Sequence, residues 1–174
     1  MARTVAIGIH NFSELIEKNY FYIDKTLFIK EWWESNDNTT LITRPRRFGK
    51  TLNMSMLEQF FSLDYAGRGD LFERLAIWQE EEYRALQGTY PVIALSFAKV
   101  KSADYKTTRK TICMILRRLY TKFSYVLESG KLDEQDKEYY RRVSDHMDDS
   151  DAANALHNLS DYLYRCHGKK SSSC

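Results

Sequence analysis

The sequence feature that most constrains this chain is the stretch TTLITRPRRFGKTLNMSMLEQFF, residues 39–61. It begins at 39–43 with β-branched and apolar residues, which favour a β-strand. The basic segment RPRRFGKT follows at 44–51. After it, apolar side chains recur at helical spacing, at Leu52, Met56, Leu57 and Phe60. A strand, a loop ending in Gly-Lys-Thr and an amphipathic helix are together typical of a phosphate-binding loop.

The loop departs from the usual pattern at its first position. A phosphate loop reads G-x-x-x-x-G-K-[ST], and its backbone amides and the start of the next helix hold the phosphates. Gly49, Lys50 and Thr51 match, with Lys50 expected to contact phosphate and the Thr51 hydroxyl to bind Mg²⁺. Arg44 stands where glycine is usual, and a backbone with negative φ accommodates it. The alternative is a solvated basic surface loop, which a GKT tripeptide without a strand and a helix around it would favour.

The rest of the pattern predicts an α/β fold. PVIALSF, residues 91–97, is a nearly continuous apolar run, as in strands buried on both faces of a parallel sheet. We therefore expect a P-loop NTPase-like parallel sheet flanked by helices, incomplete at the C-terminus because only two strong strands are visible. Asp104 is expected to cap the longest helix and Gly168 to end the last one. Spacing and caps predict helices at 12–18, 25–34, 105–128, 133–146 and 152–166.

The bulk composition excludes some classes of protein. With 174 residues, the chain is long enough for one domain with its own core. A formal net charge of +2 does not suggest a protein that binds nucleic acid or anionic membranes non-specifically. No segment approaches the ~20 apolar residues of a membrane span, and the N-terminal sequence is a poor signal peptide. We therefore expect a cytoplasmic protein without a membrane partner.

The loop and its flanks resemble one family. LITRPRRFGKTLNMSMLEQFFS is similar to the AAA-ATPase-like domain of bacterial proteins whose phosphate loop has the form RPRRFGKT. The segments GIHNFSELIEKNYFYIDKTLFIKEW, LFERLAI and YPVIALSFAKV resemble the family's regions on either side, so the similarity covers nearly all of residues 7–170. Arginine at the first loop position is usual in this family.

The resemblance implies a P-loop ATPase domain that binds ATP and Mg²⁺. It implies that residues 44–48 form the loop backbone, that Gly49 permits close approach, that Lys50 contacts phosphate and that Thr51 contacts Mg²⁺. Arg46 and Arg47 either add charge toward the nucleotide or a partner, or they are solvated. The implied nucleotide-binding residues are Arg44, Pro45, Arg46, Arg47, Phe48, Gly49, Lys50 and Thr51.

A second family motif reads aromatic-Ile-Asp-Lys-Thr and ends here in Asp24, Lys25 and Thr26. The resemblance assigns these three residues no role. One interpretation is that Asp24 caps a helix beginning at Lys25. The alternative places the motif near the nucleotide. Nearby aromatic residues are expected in a core or an interface, with stacking on bases as the alternative; they are Tyr20, Phe21, Tyr22, Trp32 and Trp33.

The sequence departs from the family where an apolar strand ending in Asp-Glu should hold Mg²⁺ and orient water. Past Gly168 the chain reads KKSSSC, and the acids at 148, 149 and 151 suit a helix cap. We therefore expect nucleotide binding with weak or absent hydrolysis, in the front part of a longer protein. The expected organisation is an N-terminal helical lead at 1–38, a truncated P-loop core at 39–170 and a polar, non-native-looking tail at 171–174.

The expected partners follow from this interpretation. Besides the nucleotide, we expect a missing C-terminal domain or another protein chain that pairs with the unfinished sheet. Intact family members commonly carry a domain related to the PD-(D/E)xK nucleases, which nothing in this sequence resembles. The alternative function is a non-catalytic module with a vestigial phosphate loop, which binds protein or nucleic acid.

Overall fold

The computed structural model describes residues 4–5, 8–43, 45, 48–168 and 172–173, and these are mainly helical. The α-helices in this part of the chain are α1 (Phe12–Glu17), α2 (Leu27–Ser35), α3 (Lys50–Phe61), α4 (Glu81–Arg84), α5 (Tyr105–Lys122), α6 (Glu134–Arg142) and α7 (Asp149–His167). Short 3₁₀ segments lie at Leu63–Tyr65, Gly69–Leu71, Ala76–Gln79 and Ser124–Glu128. Two-residue strands, β1 (Val92–Ile93) and β2 (Ser172–Ser173), form a two-stranded ladder. None of the described helices has the length and apolarity to cross a bilayer.

The predicted parallel sheet flanked by helices is wrong. Of the residues that the structure describes, 57% are helical and 2% are in strands, which conflicts with a P-loop parallel sheet. Residues 39–43 form no strand, and Leu41 among them is 82% exposed. Within 91–97 only Val92–Ile93 is a strand. Strands are stabilised by cross-strand partners and by packing on the sheet faces more than by their own composition. Among the described residues, segment 39–43 has no strand partner, so its β-branched residues do not make it a strand.

Several helix ends agree with the capping residues. Asn11 Oδ1 accepts the Glu14 amide hydrogen bond at 3.2 Å and caps α1. Gly168 ends α7 with φ +63°, in the left-handed region that favours glycine. The helix predicted over 105–128 is shorter, since α5 ends at Lys122 and a 3₁₀ segment continues to Glu128.

The first of two compact units is Met1–Val92. Its core is rich in aromatic rings that pack around Phe72, with centroids 5.2 Å from Phe12 and 5.0 Å from Phe60. All three are fully buried. This core anchors α1 and α3, the two helices that matter most for the site below.

The second unit is Ile93–Cys174, and its core is formed by side chains of α5, α6 and α7. The Tyr120 hydroxyl donates to the Ala155 carbonyl at 2.8 Å, and the Tyr140 hydroxyl donates to the Tyr120 carbonyl at 2.6 Å. Burial raises the pKa of both tyrosines, so both hydroxyls remain neutral donors. The sequence-based division at 1–38, 39–170 and 171–174 stays a prediction.

Candidate functional site

The phosphate-loop candidate ends at the N-terminus of α3. Gly49 is the N-cap with φ +76° and ψ +17°, a left-handed conformation that is strained for residues with a Cβ. Its carbonyl accepts the Asn53 amide at 2.8 Å, and the exposed Lys50 and Thr51 occupy the first turn. Amides in a helix's first turn lack intrahelical acceptors and lie at the positive end of the helix dipole. The junction therefore combines a positive helix end with a lysine.

The loop ahead of Gly49 is described in part. Pro45 and Phe48 are exposed, Phe48 at 58% of its surface. The other predicted loop contributors, Arg44, Arg46 and Arg47, lie outside the described residues. The structure thus brings together the Gly49-Lys50-Thr51 end of the predicted site.

The position of α3 is fixed by packing and by polar contacts with α1. Its inner face includes Met56 and Phe60, both fully buried. The Ser55 hydroxyl accepts the Phe12 amide at 3.1 Å, and the Gln59 amide nitrogen donates to Asn11 Oδ1 at 3.0 Å. Because these contacts hold the body of the helix, they also fix where its N-terminus lies.

A cavity of about 950 Å³, here called the loop cavity, opens beside Gly49, Lys50 and Thr51. The other described residues that line it are Val5, Gly8, Ile9, His10, Leu15, Phe21, Tyr22, Ile23, Lys25, Phe48, Leu52 and Asn53. A second cavity of about 670 Å³ shares Lys25, Phe48 and Asn53 with it. Part of the N-terminal lead and the end of the predicted loop, residues 48–51, therefore line the same cavity.

The loop cavity has a basic lining. Lys25, Lys50 and His10 contribute to it, and no aspartate or glutamate is among the described lining residues. Burial raises the pKa of Tyr22 to about 12, so its hydroxyl adds no negative charge near neutral pH. A cavity with this lining favours an anionic ligand.

One wall of the loop cavity is apolar and open to solvent. Phe21 is 50% exposed and Ile23 is 66% exposed, and Phe48 adds a third exposed apolar side chain. The core interpretation holds for Tyr22, Trp32 and Trp33, which pack against the core of the first unit. Trp33 stacks on Phe61 with ring centroids 5.4 Å apart. Phe21 is therefore the aromatic residue of the group that combines exposure with a place beside the loop.

The Asp-Lys-Thr motif forms a clamp. Asp24 Oδ1 accepts the Thr26 amide at 2.8 Å and the Thr26 hydroxyl at 2.7 Å, while Asp24 Oδ2 accepts the Ala76 amide at 2.7 Å. The fully buried Thr26 hydroxyl also accepts the Ile77 amide at 3.1 Å. Thr26, not Asp24, is the N-cap residue of α2. Asp24 and Thr26 thus tie the start of α2 to the segment 76–79, and Lys25 between them lines the loop cavity.

Sequence reasoning did not find all the lining residues. Ile9 and His10 carry no local motif, and their place at the site follows from the packing of α1 on α3. Asn53 was detectable, because it lies one helical turn after Gly49 and so shares a face with it.

Comparison with known proteins places the chain in a family. A family model described as Predicted AAA-ATPase matches residues 6–171. The chain belongs to the AAA-ATPase-like family. This confirms the family that the loop sequence suggested, and membership in the AAA-ATPase-like family supports ATP binding at a coarse level.

A curated relative is described as an uncharacterized protein in the vnfD 5′ region of Azotobacter chroococcum mcd 1. It is 33% identical over 96 residues, which are 55% of this chain and 17% of the relative. The match therefore spans a small part of that protein's length. No solved structure matches the chain.

Proposed function

We propose that this chain binds ATP with Mg²⁺ in the loop cavity, with the phosphates at the N-terminus of α3. The observation that carries the proposal is that Gly49, Lys50 and Thr51 begin a 12-residue helix and face a cavity whose described lining is basic. Membership in a family of predicted AAA-ATPases supports a nucleotide as the anion. A volume of about 950 Å³ lies within the range of ligand pockets, which hold molecules of this size.

Each residue has a distinct role in the proposal. The left-handed Gly49 turns the chain so that backbone amides face the phosphates. The Lys50 ammonium contacts the β- and γ-phosphates, and the Thr51 hydroxyl is a ligand of the Mg²⁺ that accompanies them. Arg44, Pro45, Arg46, Arg47 and Phe48 supply the rest of the loop backbone.

The apolar wall favours a nucleotide over free phosphate. Phe21, Ile23 and Phe48 expose apolar surface beside the proposed phosphate site. Covering that surface with the planar face of a base and with the ribose removes it from water, and base–aromatic contact is favourable for any base. Phosphate alone would leave this wall exposed.

The proposed role of these residues is binding. In P-loop ATPases a carboxylate completes the Mg²⁺ site and positions the attacking water. The described lining of the loop cavity supplies basic, apolar and amide side chains for holding a ligand. We therefore assign phosphate and metal contacts to Lys50 and Thr51 and propose no residue as the catalytic base.

A titration with Mg·ATP tests the proposal. Ligand binding stabilises the folded chain by RT ln(1 + [L]/Kd), or about 2.7 kcal/mol at 100-fold excess over Kd. We expect a rise in melting temperature for wild type and none for Lys50→Ala. Lys18→Ala is the matched control, because Lys18 pairs with Glu14 on the surface of α1 and does not line the cavity.

Two results would overturn the proposal. One is equal stabilisation of wild type and Lys50→Ala by Mg·ATP, with both variants folded by circular dichroism. The other is no response in any folded variant. Salt-sensitive binding of DNA or RNA that is indifferent to Lys50 would then favour the non-catalytic interaction module.

A further inference from the structure

Lys25 is the member of the Asp-Lys-Thr motif that the clamp does not use. Asp24 and Thr26 direct their side chains to each other and to the backbone of Ala76 and Ile77. The Lys25 side chain is exposed and makes no ion pair with a described residue. The clamp therefore does not explain why a lysine lies between Asp24 and Thr26.

The clamp holds the backbone of Lys25 on both sides. Asp24 accepts three hydrogen bonds of 2.7–2.8 Å, and Thr26 is fully buried. The Lys25 amide itself donates to the Tyr22 hydroxyl at 3.3 Å. A residue mounted on a fixed backbone loses less freedom when its side chain binds a ligand, which raises affinity.

Lys25 faces the same cavity as Lys50. It lines the loop cavity with Gly49, Lys50 and Thr51, and it also lines the adjoining cavity with Phe48 and Asn53. An extended polyanion in the loop cavity has the ammonium groups of both lysines as counter-charges.

We propose that Lys25 is a second phosphate-binding residue, which contacts the polyphosphate chain of the nucleotide and makes the site select nucleoside triphosphates over monophosphates. The inference rests on the proposed function. In this proposal the residues of the motif have different roles. Asp24 and Thr26 fix the backbone, and Lys25 binds the phosphates. A monophosphate that occupies the Lys50 end cannot contact Lys25 in the same way, whereas a triphosphate spans both.

The test compares ligands that differ in phosphate number. Binding of Mg·ATP, AMP and tripolyphosphate is measured by isothermal titration calorimetry for wild type, Lys25→Met, Lys25→Arg, Lys50→Met and Lys18→Met. We expect Lys25→Met to weaken ATP and tripolyphosphate about 10- to 100-fold, the range for a hydrogen bond to a charged group, and to change AMP little. Lys25→Arg keeps the charge and should recover most of the affinity, and Lys18→Met should match wild type.

The outcomes separate this inference from the proposed function. If Lys25→Met binds ATP as wild type does while Lys50→Met does not, Lys25 is not a phosphate contact and the nucleotide site remains. If Lys25→Met weakens ATP and AMP by the same factor, the selectivity is overturned. If neither Lys25→Met nor Lys50→Met alters binding, both proposals fail. Melting without ligand shows whether each variant is folded, and Lys25→Arg tests the charge if Lys25→Met is not.

Discussion

Four helices of this chain begin in two different ways. α5, α6 and α7 of the second unit begin after Asp104, Asp133 and Asp148, whose carboxylates accept first-turn amides at 2.7–2.8 Å. α3 of the first unit begins at Gly49, which has no side chain that could accept those amides. In the second unit the positive end of each helix is thus matched by an anion from the chain itself. The end of α3 instead faces a basic cavity, where in our proposal the anion comes from the nucleotide.

The largest expected effect comes from giving α3 an aspartate N-cap, as α5, α6 and α7 have. Gly49→Asp places a carboxylate where the phosphates are proposed to bind. At separations near 4 Å, repulsion between two unit charges is about 1 kcal/mol in water and about 4 kcal/mol near a protein surface. We therefore expect Mg·ATP affinity to fall by at least roughly tenfold, measured by calorimetry.

Gly49→Asn is the matched control for that experiment. Asparagine tolerates the left-handed conformation about as well as aspartate and has nearly the same shape, so both variants carry the same backbone strain. Only the charge differs between them. Equal Mg·ATP affinity of the two variants would show that α3 does not hold phosphate at its N-terminus.

Local signals in the sequence predicted some helix ends, such as the starts of α1 and α5, but not the start of α2. A cap is a contact between residues about three positions apart. The caps that join Asn11 to Glu14 and Asp104 to Thr107 can therefore be predicted from the sequence alone. The family could also be predicted from the sequence, because the motif RPRRFGKT is contiguous.

Long-range features were not predictable in the same way. The sheet failed because a strand requires partners that its own residues do not encode. The clamp joins Asp24 to Ala76 across 52 positions, and the loop cavity joins the lead before α2 to the start of α3. The clamp and the loop cavity both depend on how α1, α2 and α3 pack, which a short sequence motif does not predict.

A smaller effect is expected at a capped helix. Asp133→Ala removes the side chain that accepts the Asp136 amide at 2.8 Å and leaves that donor without its cap. Loss of an N-cap typically lowers the free energy of unfolding by about 1 kcal/mol. Urea unfolding measures the loss, and Asp133→Asn should recover most of it because asparagine caps nearly as well. Since Asp133 does not line the loop cavity, Mg·ATP affinity should not change. A weakening of ATP binding equal to that of Gly49→Asp would contradict the separation of the two kinds of helix end.

The smallest effect is a pH dependence at the start of α7. Hydrogen bonds from the Asp151 amide and the Ser150 hydroxyl hold the pKa of the Asp148 carboxyl below its ordinary value of 3.8. Because the folded pKa is the lower one, the stabilisation is complete above 3.8 and is lost as the pH falls through the folded value. Asp148→Asn has a cap that does not titrate. The advantage of wild type over Asp148→Asn in unfolding free energy should therefore be constant near neutral pH and shrink below about pH 4. Paired urea titrations across this range measure it, and an advantage that stays constant or grows as the solution becomes more acidic would show that the charge of Asp148 does not stabilise this helix end.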